Sequence, residues 1–210
     1  AATVKSELDL LSKMLDVASK EFAIPLPAGN PVTGVRKPKN SKPRERRLSA
    51  DEWTALEREC RASRNPNLWP AVELSIETAM RQGELLGLKW RDIDRARRFA
   101  LLTDTKNGEA RGVPLTSGAL RVLEGLAHDL KGRVIPGHRM SLYKSFERAC
   151  ERAGIEDYTW HDLRHEALSR LAERGDLSVL ELAAVSGHKT LHMLKRYTHL
   201  QAEKLAKKLG

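Results

Sequence analysis

The sequence predicts a mainly α fold with one small antiparallel β-sheet, an α+β class. Three features lead there: apolar residues at helical spacing over most of the 210 residues, two Ser-x-x-Glu capping boxes, and one Asn-Gly turn between short strand-like runs. With 40% hydrophobic residues the chain can bury one full-sized core and carry a small appendage besides.

The elements follow in order. Leu8, Leu11, Met14, Leu15 and Ala18 fall on one helical face and predict a helix over Thr3 to Phe22. The Pro- and Gly-containing segment from Ala23 to Arg47 reads as a linker. Its last part holds seven basic residues, Arg36, Lys37, Lys39, Lys42, Arg44, Arg46 and Arg47, against one acid, Glu45. Such a stretch suits either a phosphate backbone or a solvated tether. Residues 1–47 are therefore set apart from a domain over 48–210. That domain opens with the Ser49/Glu52 capping box ahead of Trp53, Leu56 and Cys60. A second helix over Leu68 to Ala79 turns Val72, Ile76 and Ala79 inward. From Trp90 to Leu115 short strands are expected, with Asn107-Gly108 as the hairpin turn and Lys106 beside its tip. Helices then follow over Ser117 to Leu130, Ser141 to Ala153, Trp160 to Arg174, Ser178 to Ser186, Leu191 to Arg196 and Ala202 to Leu209. Gly175 and Gly187 stand where helix ends need a left-handed residue, and Ser178 with Glu181 forms the second capping box.

A net charge of +9 makes a polyanion the first partner to consider, since Lys and Arg release counterions when they neutralise phosphates. Charge alone also suits a protein that merely stays soluble. No run approaches the roughly 18–20 apolar residues of a membrane span, and no signal-peptide layout opens the chain. The expectation is a soluble, cytoplasmic protein with no membrane partner. Cys60 and Cys150 make neither a disulfide framework nor a zinc cluster.

Four segments concentrate groups able to handle a phosphodiester: Thr78 to Leu85 with Arg81 and Glu84, Lys106, His161-Asp162-Leu163-Arg164-His165, and Ser186-Gly187-His188 followed by Arg196-Tyr197. Singly each is ambiguous. Arg81/Glu84 and His161/Arg164 are i, i+3 pairs of the kind found on ordinary helix faces. His161/His165 and His188/His192 are i, i+4 pairs that could chelate zinc, although Ser169 stands where the HExxH motif needs its second histidine. Ser178 to Tyr197 also reads as the helix-turn-helix of a non-catalytic DNA-binding regulator.

Together and in order, these segments resemble the tyrosine site-specific recombinase (phage integrase) family over about Ser49 to Leu200. The family pattern is an Arg in a Thr-Gly-x-Arg-x-x-Glu-Leu context, a hairpin Lys, His-x-x-Arg, Gly-His and a downstream Tyr. It falls here on Arg81, Lys106, His161 with Arg164, His188 and Tyr197, with Glu84 supporting the first arginine. Ala79 stands where the family usually has Gly. Residues 1–47 resemble the last helix and basic linker of a truncated core-binding domain.

The resemblance implies the tyrosine recombinase catalytic-domain fold and an enzyme that cleaves and rejoins DNA through a 3′-phosphotyrosine intermediate. Tyr197 would be the nucleophile, Arg81, Arg164 and His188 the phosphate clamp, His161 the base or proton relay, and Lys106 the acid for the 5′-oxygen. No cofactor, metal or ATP is implied. The expected partner is double-stranded DNA with specific recombination sites, bound by a homotetramer that is a monomer or weak oligomer without DNA, and the 202–209 helix would pack into a neighbouring subunit.

Overall fold

The computed structural model describes residues 2–39, 44, 46–103, 110–128, 132–188, 190–194 and 197. The chain divides into two compact units, Ala1–Arg44 and Glu45–Gly210.

The first unit is helix α1 (Ala2–Glu21) with a return segment folded on it. Asn30 makes the fold-back. Its side chain caps the 3-10 turn Pro31–Gly34 by accepting from the Val32 amide at 3.0 Å. The same side chain donates to the Ser12 carbonyl and to Asp16 Oδ1, each at 2.8 Å. Lys37 closes the segment through a 2.7 Å ion pair with Asp9.

In the second unit α2 (Ala50–Arg61) starts at the Ser49 box, with Glu52 N donating to Ser49 Oγ and Ser49 N donating back to Glu52 Oε2 at 2.8 Å. α3 (Leu68–Thr78) is buried on nearly every side, from Leu68 and Trp69 through Leu74 to Thr78, because it packs against α2, α5 (Ser117–Glu124), α6 (Arg139–Arg152) and α7 (Trp160–Arg174). A short α4 (Gln82–Gly87), not anticipated from the pattern, follows at once. Strands β1 (Ile93–Asp94), β2 (Phe99–Leu102) and β3 (Arg111–Pro114) form an antiparallel sheet in that order, with Ala100 paired to Val113 and both buried. The β2–β3 connection, with Lys106 and Asn107-Gly108, lies outside the described residues, as does the 202–209 segment.

Two helix boundaries differ from expectation for local reasons. α5 ends at Glu124 instead of running to Leu130: Gly125 is its C-cap, and the next amide, Leu126, bonds three residues back to the Leu123 carbonyl at 3.4 Å, the tightened last turn of a helix end. α6 begins at Arg139 instead of Ser141, because the His138 ring accepts from the Met140 amide and serves as N-cap. α7 and α8 (Val179–Ser186) end as expected on Gly175 and Gly187, at φ 69° and 64°. Where a helix over Leu191 to Arg196 was expected, the described residues form a 3-10 turn, Leu191–Leu194.

Arg46 and Arg47, two of the seven basic residues read as linker, are folded onto this unit. Arg46 pairs with Glu52, and Arg47 reaches Glu166 at 2.9 Å and also Glu173. Their charges are matched by carboxylates, so they are not open to a phosphate backbone. The main core joins α2, α3, the sheet, α5, α6 and the start of α7, with Phe146 and Trp160 rings edge-on at 5.1 Å. A second cluster gathers Ala79, Ala167, Leu168, Ala172, Leu182, Leu194 and Tyr197. Ser49→Ala removes one cap hydrogen bond at an exposed helix start. It is expected to cost about 1 kcal/mol and roughly 2–4 °C of Tm, read by urea and thermal unfolding.

Candidate active site

The site begins where α3 stops. Ala79 adopts the left-handed conformation, φ 51° and ψ 23°, and reverses the chain into extended Arg81, the N-cap of α4. Glu84, one turn on, accepts from the Arg81 amide at 2.8 Å and from Arg81 Nη1 at 2.7 Å. One carboxylate thus caps a helix and aims a guanidinium. The oxygen that accepts from the Arg81 amide, Oε2, also takes a bond from Arg111 Nη2 at 2.8 Å, delivered by β3. Burial pushes the Glu84 carboxyl up, but the Arg81 amide and the Arg111 and Arg81 charges outweigh it and hold it below its ordinary range. Arg111 also donates to the Val185 carbonyl at the end of α8, and Arg81 Nη2 to the Gly187 carbonyl at 3.4 Å. A Cβ on Gly187 would lie 2.6 Å from Arg111 Nε, so this close approach and the positive φ both call for glycine.

The opposite wall is α7. Asp162 caps its first turn by accepting from the Thr159 amide and hydroxyl, each at 2.8 Å. That fixes the face bearing His161, Arg164 and His165, which helical spacing places together. Arg164 is buried, 4% exposed, and donates to the Ala79 and Ser186 carbonyls. Burial first, then Arg81, lowers its pKa to about 10, and it stays cationic at neutral pH. Arg81, His161 and Arg164 line one open cleft with Tyr143 and Trp160. His165 Nδ1 shares a 2.8 Å hydrogen bond with the Tyr197 hydroxyl, and the His161 ring stands edge-on to His165 at 4.8 Å. Tyr197 itself is 4% exposed. His188 Nδ1 shares a 2.7 Å hydrogen bond with Ser186 Oγ. Among the described residues no group of three or more His, Cys, Asp or Glu side chains could hold a metal ion.

Two guanidiniums, Arg81 and Arg111, thus share one buried carboxylate, with Arg164 and the Tyr197 phenol close by. The model of the phage integrase family matches residues 46–204. The chain belongs to the phage integrase family. Over 207 residues it is 45% identical to a shufflon-specific DNA recombinase of Escherichia coli, covering 99% of this chain and 53% of that protein. The catalytic domain of bacteriophage HP1 integrase superposes with a TM-score of 0.63 at 30% identity, over 77% of this chain and 92% of that one. A lambda integrase tetramer bound to a Holliday junction superposes with a TM-score of 0.72 at 26% identity, over 90% of this chain and 59% of that one. The chain spans about half the length of the shufflon recombinase it matches.

Of the integrase motif residues named from sequence, Arg81, Glu84, His161, Arg164, His188 and Tyr197 fall in this region and Lys106 lies outside the described residues. Two further residues belong to it. Arg111 carried no local signal, since its partners Glu84 and Val185 are distant in sequence. His165 was visible as the last residue of the His-Asp-Leu-Arg-His run and as the i, i+4 partner of His161, but not as the partner of Tyr197.

Burial, then the charges of Arg164 and Arg81, hold the His188 imidazole down to about 4 from an ordinary 6.5. The unfolded chain therefore takes up a proton at His188 near pH 6.5, while the folded protein does not until about pH 4. Its contribution to stability is full above pH 6.5 and is lost as pH falls toward 4. In urea unfolding across that window His188→Asn should show a flatter acid limb than the wild type, and parallel limbs would contradict the assignment.

Proposed function

We propose that this chain is the catalytic portion of a site-specific DNA recombinase that cleaves and rejoins strands through a 3′-phosphotyrosine intermediate. One observation carries the reading: the Tyr197 hydroxyl meets the face of α7 that holds Arg164, beside the Arg81–Glu84–Arg111 cluster. The names of the related shufflon recombinase and lambda integrase support it.

The chemistry follows from the residues. A phosphodiester under attack gains negative charge on its non-bridging oxygens, and fixed cationic donors lower that barrier. Planar guanidiniums bind two oxygens at once and never lose their charge near neutral pH. Arg81 and Arg164 form the clamp, and His188 adds a donor. Positioned arginines contribute about 10³–10⁵ in rate in other phosphoryl-transfer enzymes. A free phenol, of pKa about 10, is ionised only about once in a thousand at pH 7, roughly 4 kcal/mol uphill. Tyr197 therefore needs a proton acceptor, and the imidazoles of α7, His161 on the cleft among them, supply the base or relay. Lys106 is the acid that protonates the departing 5′-oxygen. The phosphotyrosine bond keeps the ester's energy, so a 5′-hydroxyl reverses the step with neither ATP nor a metal.

The partner is double-stranded DNA carrying recombination sites, bound by a homotetramer, as in the lambda integrase complex on a Holliday junction. Residues 1–47 are the end of a core-binding domain with its linker. The protein acts in the cytoplasm. Among the described residues no helix is long and apolar enough to cross a membrane.

A site can be selected from random DNA by binding to Tyr197→Phe. On a nicked suicide duplex of that site the wild type should form a covalent adduct visible on a denaturing gel and Tyr197→Phe none, whereas an undiminished adduct in the variant removes Tyr197 as nucleophile. With sulfur in place of the 5′-oxygen, Lys106→Ala should regain cleavage and Arg81→Ala should not. Equal failure of both removes Lys106 from the leaving-group role.

A further inference from the structure

We infer that His165 is the group that takes the proton of Tyr197 when the strand is cut and returns it when the strand is rejoined. The inference rests on the reading of Tyr197 as nucleophile and adds to it the residue that activates the phenol.

The geometry makes the case. His165 Nδ1 lies 2.8 Å from the Tyr197 oxygen, within the reach that a general base requires. The contact is held from both sides. His165 is fixed by α7, one residue beyond Arg164, whose guanidinium is anchored to the carbonyls of Ala79 and Ser186. The Tyr197 ring is buried among Ala79, Ala167, Leu168, Leu182 and Leu194. A phenol so placed meets a ring nitrogen that, in the neutral imidazole, can accept its proton. The charged and titratable groups around the pair are His161 and Arg164 on α7, Arg81 and Glu84 at the α3–α4 corner, Arg111 on β3 and His188 after α8. Their balance is cationic, which favours the phenolate.

The step closes in atoms and electrons. The phenol proton passes to His165 Nδ1, a phenolate lone pair forms the O–P bond, and the P–O5′ bond breaks as the 5′-oxygen takes a proton from the general acid, Lys106 in the proposed mechanism. Rejoining runs the same path backwards, with the His165 imidazolium protonating the departing phenol. His161, edge-on to His165 and open to the cleft, is the relay between that imidazole and solvent.

The test uses the suicide duplex and the whole protein. His165→Ala and His165→Gln should both slow adduct formation by about 10²–10⁴-fold, as is typical of a lost general base. Gln fills the position and keeps a hydrogen bond to the phenol but takes no proton, so it separates proton acceptance from positioning. The wild-type rate should fall in acid as His165 is protonated, whereas the variant rates should keep rising with pH toward the ionisation of the phenol. A second arm asks for joining without Tyr197. In a Tyr197→Phe background, a duplex ending in 3′-(4-nitrophenyl) phosphate needs no proton on its leaving group. Adding His165→Ala to that background should leave its joining rate unchanged. Wild-type adduct formation in both variants, or equal slowing of the nitrophenyl joining, overturns the role of His165 and leaves Tyr197 as nucleophile. No adduct from the wild type overturns both readings.

Discussion

The site depends on the carboxylate of Glu84. Its side chain is 4% exposed and bonds to Arg81 on one oxygen and to Arg111 on the other. Through these two guanidiniums it joins the α3–α4 corner, the third strand and the end of α8, since Arg111 and Arg81 reach the carbonyls of Val185 and Gly187. Removing one partner of such a buried set commonly costs about 3–5 kcal/mol, because the others stay behind as unmatched charge. Arg164, bonded to the Ala79 and Ser186 carbonyls, lies within electrostatic reach of Arg81, Glu84 and Arg111, so three guanidiniums surround the site against one buried carboxylate. An excess of fixed positive charge at low dielectric is a preorganised place for an oxyanion, and a phosphodiester under attack is such an anion.

A second constraint lies in Ala79. A left-handed conformation costs an L-residue roughly 1–2 kcal/mol, and the family usually has glycine there. The Ala79 methyl is fully buried in the cluster that holds Tyr197, and burying a methyl returns about 0.8 kcal/mol. Much of the strain is thereby offset. The turn is needed because the Ala79 carbonyl is one of the two that anchor Arg164. Backbone strain and the position of a guanidinium are thus coupled at one residue.

The sequence disclosed what is local. Capping boxes at Ser49 and Ser178, glycine stops at 175 and 187, and the i, i+3 relation of Arg81 to Glu84 were readable because each needs only a few consecutive residues. The ends of α5 and α6 were misjudged because Gly125 and His138 act as caps through backbone and ring geometry that periodicity does not register. Arg111 could not be found from sequence, since its role exists only once β3 lies against α4 and α8. Likewise the pairing of Tyr197 with His165 depends on the chain after α8 returning to α7 across 32 residues, which no spacing rule encodes. Arg46 and Arg47 looked like part of a basic tether, but Glu52 pairs with Arg46, and the acids that neutralise Arg47, Glu166 and Glu173, lie far along the chain.

A crystal structure of the protein on a duplex of its selected site tests the central claim most directly. The expected result is a backbone phosphate whose oxygens lie within about 2.7–3.2 Å of the Arg81 and Arg164 guanidinium nitrogens, with Glu84 still bridging Arg81 and Arg111. A complex in which no phosphate enters the cluster, or in which Glu84 has swung away and left the two arginines apart, would contradict it.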